Sequence, residues 1–159
     1  MEFEDWYRRE HPRLITVLAA VTGEADLAEE AADEAFVRAF ERWERVSEMA
    51  SPAGWTYRVG LNVVWRRAHR RALERRLIMR HRHENVPGPT GEVWMLVAEL
   101  PRRQRTAVLL RYAGQFTEQE IADVMGVARG TVSSTLRAAH QRLAAAIADP
   151  DDTFEGVGP

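Results

Sequence analysis

Residues 116–143, FTEQEIADVMGVARGTVSSTLRAAHQRL, carry two stretches of helix-spaced apolar residues separated by Gly126. Ile121, Ala122 and Val124 or Met125 line the first; Val132, Leu136, Ala139, Leu143 and Ile147 line the second. Glycine takes a positive φ without steric cost, so a tight turn is expected at 126. Two short helices must then cross there, over a core shared by Val127, Val132 and Leu136. Thr117 followed by Glu120 has the form of a capping box and starts the first helix at 118. The second helix runs from about Ala128 to Ala148 and turns Arg129, Ser133, Ser134, Arg137 and Gln141 outward. Arginine and hydroxyl groups on the second helix of such a pair are the layout that enters a DNA major groove. An ordinary helical hairpin shares the periodicity but has no need of that outer face.

The rest of the chain is also helical in period. Residues 3–21 carry Leu14, Ile15, Leu18 and Val21 at helical spacing, with Thr22-Gly23 as the stop. Pro12 either kinks this helix or opens one that starts there. Residues 24–46 form a second helix, with Ala28, Ala32, Ala35, Ala39 and Trp43 on one face beside Phe36 and Phe40, and charged i, i+4 pairs opposite. Ser51-Pro52 is a helix start, and the third helix runs into the high seventies with Tyr57, Leu61, Val64, Ala68 and Ala72 as its stripe. Residues 92–99 make a short helical turn. A further helix follows Pro101, with Val108, Leu109 and Tyr112 inward, and stops at Ala113-Gly114. No alternating strand pattern and no repeat interrupts this. The fold class is all-α: two small helical domains joined by a short linker, the C-terminal one a helix-turn-helix. The proline- and glycine-rich stretch 84–91 is the linker, separating domains at 1–83 and 92–148, and the acidic tail 149–159 has the composition of a disordered segment.

Charge sorts along the chain. All basic residues are arginine. Residues 1–48 hold six of them against thirteen carboxylates, residues 49–83 nine against one, and residues 101–148 seven against three. A net charge of −2 would argue against nucleic acid, but the field at a contact face is local. A GC-rich genome explains arginine in place of lysine, not the clustering. A third helix with Arg66, Arg67, Arg70 and Arg71 repels itself until phosphates neutralise it.

No catalytic set assembles: there is no glycine-rich phosphate loop, nucleophile elbow or HExxH, and no cofactor is implied. The chain has no cysteine, which excludes disulfides and thiolate metal sites and favours a cytoplasmic setting. His81 and His83 form an isolated H-x-H, too little for a metal site. No apolar run is long enough for membrane insertion, and the acidic start MEFEDWYRRE lacks the apolar region of a signal peptide.

LPRRQRTAVLLRYAGQFTEQEIADVMGVARGTVSSTLRAAHQRL resembles the minus-thirty-five-binding domain of bacterial sigma factors. DLAEEAADEAFVRAFERW resembles their core-polymerase-binding helix, and SPAGWTYRVGLNVVWRRAHRR their minus-ten-binding and melting segment. With only these two domains and a short linker, the chain is similar to the extracytoplasmic-function (ECF) class. The resemblance covers about residues 3–147. It implies that Asp33, Glu34, Phe36 and Arg38 dock on the polymerase clamp. It implies that Trp55, Asn62, Arg66, Arg67, Arg70 and Arg71 grip the minus-ten element, with the loop at Ser47–Ala53 capturing a flipped base. It gives Arg129, Gly130, Thr131, Ser133, Ser134 and Arg137 to the minus-thirty-five element. Phe36 fits a purely structural role equally well.

The partners implied are core RNA polymerase (beta-prime clamp and beta flap) and promoter DNA, with an anti-sigma factor as a further partner common in the family. The chain departs from the family in a recognition helix sparse in basic residues, which weakens minus-thirty-five binding, and in Ala128 at the usual turn serine. The reading is a sigma factor without covalent chemistry of its own. Its rivals are a stand-alone helix-turn-helix regulator, which leaves the second and third helices unexplained, and an interaction protein with degenerate DNA faces.

Overall fold

The computed structural model describes residues 1–77 and 91–148, and these form eight helices with no strand among them. They are α1 (Phe3–Thr22), α2 (Ala25–Phe40), α3 (Trp43–Val46), α4 (Pro52–Leu77), α5 (Glu92–Ala98), α6 (Arg102–Tyr112), α7 (Glu118–Met125) and α8 (Arg129–Ala148). The linker expected at 84–91 (Gly91 apart), His81, His83 and the tail from Asp149 lie outside the described residues.

In the first half α1 packs on α2 and both pack on α4. The alanine stripe makes this close: Ala28, Ala31, Ala32, Ala35 and Ala39 are fully buried and share the core with Leu14, Val17, Leu18, Leu61 and Val64. Gly60 lets α4 approach α1, since a Cβ there would meet the Leu14 and Leu18 methyls at 3.2–3.4 Å. Pro12 sits inside α1 and neither ends nor begins it. The helix continues although proline brings no N–H for the carbonyl of residue 8. Gly23 closes α1 at φ 75°, its amide bonded to the Ala19 carbonyl.

The single helix expected over 24–46 is two. α2 stops at Phe40, Arg42 leaves helical geometry at φ −125°, ψ 25°, and α3 folds back. Aromatic packing accounts for the break. The turn lets Trp43 reach Trp6 at 4.8 Å and Phe3 at 5.1 Å between ring centroids, contacts a straight helix would carry past.

In the second half α8 packs on α5, α6 and α7, with Val132, Leu136 and Ala139 buried. Gly126 adopts the expected turn conformation at φ 67°. Two side chains expected inside are outside: Tyr112 is 53% exposed and Ile147 59%. Tyr112 instead bonds His140 Nε2 through its hydroxyl at 2.8 Å, and Ile147 lies in the last turn of α8, past the partner helices that bury Ala139. The halves also touch each other, α4 against α7 and α1 against α6.

The capping box of α7 is complete. The Thr117 hydroxyl oxygen accepts from the Glu120 amide, and Glu120 Oε2 accepts from the Thr117 amide at 2.9 Å. Burial opposes the charge of Glu120. Hydrogen bonds from the Thr117 amide, the Thr117 hydroxyl and the Ser51 hydroxyl outweigh burial and hold its carboxyl below the ordinary carboxylate range. Such a group adds stability that is full above that range and is lost as pH falls through its folded-state value. Thr117→Ala is expected to lower unfolding free energy by about 1 kcal/mol in urea titrations. Glu120→Gln should flatten the acid limb of the urea midpoint against pH; an unaltered limb would contradict the assignment.

Candidate functional site

The acidic face of α2 and the basic face of α4 meet. Arg67 spreads its guanidinium between two carboxylates, Nη1 on Glu30 Oε2 at 2.7 Å and Nη2 on Glu34 Oε2 at 2.6 Å. One turn on, Arg71 reaches Glu24 Oε2 at 3.1 Å and Glu30 Oε1 at 3.7 Å. Glu34 also receives Arg38 from its own helix. A planar fork can satisfy two carboxylates at once, which a lysine ammonium on a flexible stem does poorly. Two of the four α4 arginines assigned to DNA are therefore already engaged within the protein.

The other two are not. Arg66 and Arg70 are exposed, as are Asn62 and His69, and together they form one solvent face of α4. Arg66 bonds the Asn62 carbonyl through Nε at 3.2 Å, which leaves its outer nitrogens to solvent. Trp55 is half-buried against the core and holds the start of α4 in place. The Ser51 hydroxyl accepts from the Gly54 amide at 3.1 Å, so the N-cap read from sequence forms.

On α2, Asp33 projects to solvent and meets His11 Nε2 at 2.8 Å. His11 is held by rings on both sides, stacked on Tyr7 at 4.6 Å and edge-on to Phe36 at 5.3 Å. Phe36 is 2% exposed and belongs to the core with Trp6 and Tyr7, so its ring is not on the surface of α2. The exposed apolar groups are Val37 at 56% and Phe40 at 63%. Sequence reading placed Phe40 on the buried stripe and passed over Val37. The break after α2, which leaves Phe40 in a helix end, was the missing signal. His11 could not be linked to Asp33, 22 residues away, from periodicity alone.

On α8, Arg129, Gly130, Thr131, Ser134 and Arg137 are exposed, and Gly130 faces open space. Ser133 is half-buried and donates to Glu118 Oε2 at 2.6 Å; Arg129 Nε lies 3.7 Å from the same oxygen. Glu118 thus lies beside the N-terminal turn of α8. Ser134 and Thr135 donate to the Thr131 carbonyl, as small hydroxyls in helices do. Ala128 caps α8 with its backbone carbonyl alone, which accepts from Thr131 and Val132. No cluster among the described residues has the ligands for a metal ion, and no helix there is long and apolar enough to cross a membrane.

Comparison with known proteins accounts for both halves. The family described as sigma-70 region 2 matches residues 6–75, and sigma-70, region 4 matches residues 90–143. The chain therefore belongs to the sigma-70 family, as a sigma factor of the ECF class whose partners are core RNA polymerase and promoter DNA. It is 27% identical to the RNA polymerase sigma-E factor of Streptomyces avermitilis, over 90% of this chain and 83% of that one. Against the sigma-E factor of Streptomyces coelicolor it is 26% identical over 90% and 84%. Its fold matches the sigma factor RpoE from Bartonella quintana, solved with the anti-sigma factor NepR, at a TM-score of 0.77 and 19% identity, covering 92% of this chain and 96% of that one. CnrH, solved with the cytosolic domain of CnrY, matches at 0.62 and 19%, covering 94% and 88%. The match over residues 6–75 disfavours a stand-alone regulator, which has no use for that half.

The two classes of arginine on α4 should separate experimentally. Arg67→Ala is expected to cost about 1 kcal/mol, a few degrees of Tm, because a half-exposed network is lost. Arg66→Ala should leave Tm unchanged within error. Equal Tm loss in both variants, measured by calorimetry, would deny the distinction.

Proposed function

We propose that this sigma factor divides its work among three faces. The solvent face of α2, with Asp33, Val37, Arg38 and Phe40 and with Glu34 behind them, docks on the beta-prime clamp of core polymerase. The outer face of α4, with Asn62, Arg66 and Arg70, follows the minus-ten strand, while Trp55 supports the loop at 47–53 that receives a flipped base. Arg67 and Arg71 act there as ties to α2. The outer face of α8, with Arg129, Gly130, Thr131, Ser134 and Arg137, reads the minus-thirty-five element, and Ser133 joins it once Glu118 gives way. Residues 1–83 and 92–148 serve as the two working units, the second also meeting the beta flap.

Duplex opening is driven by capture of unstacked bases, which offsets a few kcal/mol for each base removed from the stack. No covalent step belongs to the protein, which works in the cytoplasm. An anti-sigma factor is a fitting regulator: RpoE was solved with the anti-sigma factor NepR, and CnrH with the cytosolic domain of CnrY. The observation that carries the reading is the sorting of α4. Its paired arginines turn toward α2 while Arg66 and Arg70 stay exposed on a face of their own.

Run-off transcription with purified core polymerase and a genomic promoter library tests the whole reading. Discrete initiated transcripts are expected; absence of core binding and of transcripts would overturn it. Asp33→Arg is the sharper single change, because Glu34 also holds Arg67 and Arg38 and its reversal would disturb the fold. Core-polymerase affinity should fall roughly tenfold, the scale of one reversed contact charge, with Tm and binding to isolated DNA preserved.

A further inference from the structure

Asp33 is an exposed residue held from behind. Its side chain is 60% exposed, yet Oδ1 accepts from His11 Nε2 of α1 at 2.8 Å. An ionised carboxylate has no hydrogen to give, so the ring nitrogen carries it. The His11 side chain is only 16% exposed, and its ring is fixed by its neighbours. It stacks on Tyr7 at 4.6 Å and meets Phe36 edge-on at 5.3 Å. Phe36 in turn packs on Trp6 at 4.9 Å, deep in the core. A line of packed rings thus runs from Trp6 to one carboxylate at the surface, and packing of this kind locks the rotamers along it.

That carboxylate stands in a defined place. Asp33, Val37 and Phe40 follow at i, i+4 and i+7, so they share one face of α2 with the two exposed apolar side chains. Apolar contact tolerates sliding, whereas a charge fixes register, and it does so only if it stays where the partner expects it. The other charge on this side of the helix is held too, Arg38 by Glu34 and Glu34 by Arg67 of α4. His11 meets one oxygen of Asp33, and no donor among the described residues meets Oδ2. A carboxylate accepts several hydrogen bonds at once, so a cation on a partner can add to the His11 bond without displacing it.

We propose that His11 is a positioning residue for polymerase docking: from α1 it locks the Asp33 carboxylate of α2 in the orientation that the beta-prime clamp receives. The inference rests on the docking face proposed above. Ordering a flexible side chain at an interface opposes binding. Here the ordering takes place on folding, before polymerase is met. An imidazole suits the task because it can donate without carrying a charge. Arginine or lysine at this position would hold Asp33 and cancel the charge it offers.

Binding of the full-length protein to purified core RNA polymerase tests this, in competition with labelled native protein. His11→Phe keeps a ring between Tyr7 and Phe36 and removes the donor. It should weaken core binding about fivefold, the scale of one side chain left to be ordered at the interface. In an Asp33→Ala background the same change should cost less than about twofold, because the residue that His11 acts through is gone. His11→Gln restores an N–H donor without the ring and should return core binding to within about twofold of native. The free protein gives a reading independent of polymerase. Three-bond couplings across the Asp33 side-chain torsion should report one rotamer in the native chain and averaging in His11→Phe. If His11→Phe fails to fold by circular dichroism, His11→Leu set against His11→Gln makes the same comparison. Equal loss in both backgrounds would mean that His11 acts through the fold and would overturn the proposal, as would an Asp33 side chain that already averages in the native chain. If Asp33→Ala weakens core binding and His11→Phe does not, the docking face stands and the positioning role falls. If Asp33→Ala leaves core binding unchanged, the docking face falls and the positioning role with it.

Discussion

Arg67 sits between Glu30 and Glu34, and the first half of the molecule is arranged around that junction. The sequence separates a carboxylate-rich block from an arginine-rich one, and folding lays them against each other. Neither helix would be comfortable alone, since α2 repels itself through carboxylates and α4 through guanidiniums. Bringing the faces together relieves both, and the planar fork of arginine allows each cation to serve two anions. The alanine stripe beneath matters for the same reason. Only small side chains at Ala28, Ala32 and Ala35 bring the helix axes close enough for the charged rims to meet.

That junction also divides labour on each helix. On α4 the residues turned toward α2 are neutralised, and those one face round remain free for a polyanion. On α2 the residues turned toward α4 are structural, and Asp33 with exposed Val37 and Phe40 lies beside them. A surface mixing one charge with two exposed apolar side chains is what a protein partner covers, whereas DNA has no use for it. The aromatic cluster of Trp6, Phe36 and Trp43 gives this edge a rigid base.

Much of this was legible in the sequence. Helical period placed α1, α4, α7 and α8 within a residue or two, because their buried stripes are long and their ends carry strong punctuation at Gly23, Ser51-Pro52, Thr117 and Gly126. What escaped were effects of partners distant in the chain. The end of α2 depends on where Trp43 finds aromatic company, and that company comes from α1. Tyr112 faces out, where its hydroxyl pairs with a histidine 28 residues later. Run together as one basic segment, Arg66, Arg67, Arg70 and Arg71 look equivalent; only the position of α2 makes two of them ties and two of them free. Period likewise could not reveal that Phe116, in the turn between α6 and α7, crosses to Tyr57.

The pairing of Arg67 and Arg71 has a consequence for the ionic atmosphere of DNA. Counterions leave a duplex in proportion to the protein charge that replaces them. A guanidinium already matched to carboxylates displaces none, and one that let go would bring its freed carboxylates into the field of the phosphates. The formal charge of α4 therefore overstates how strongly salt can govern its hold on a promoter. If α4 follows the minus-ten strand as proposed, much of that hold must come from terms indifferent to ionic strength, such as stacking and fit around an extruded base.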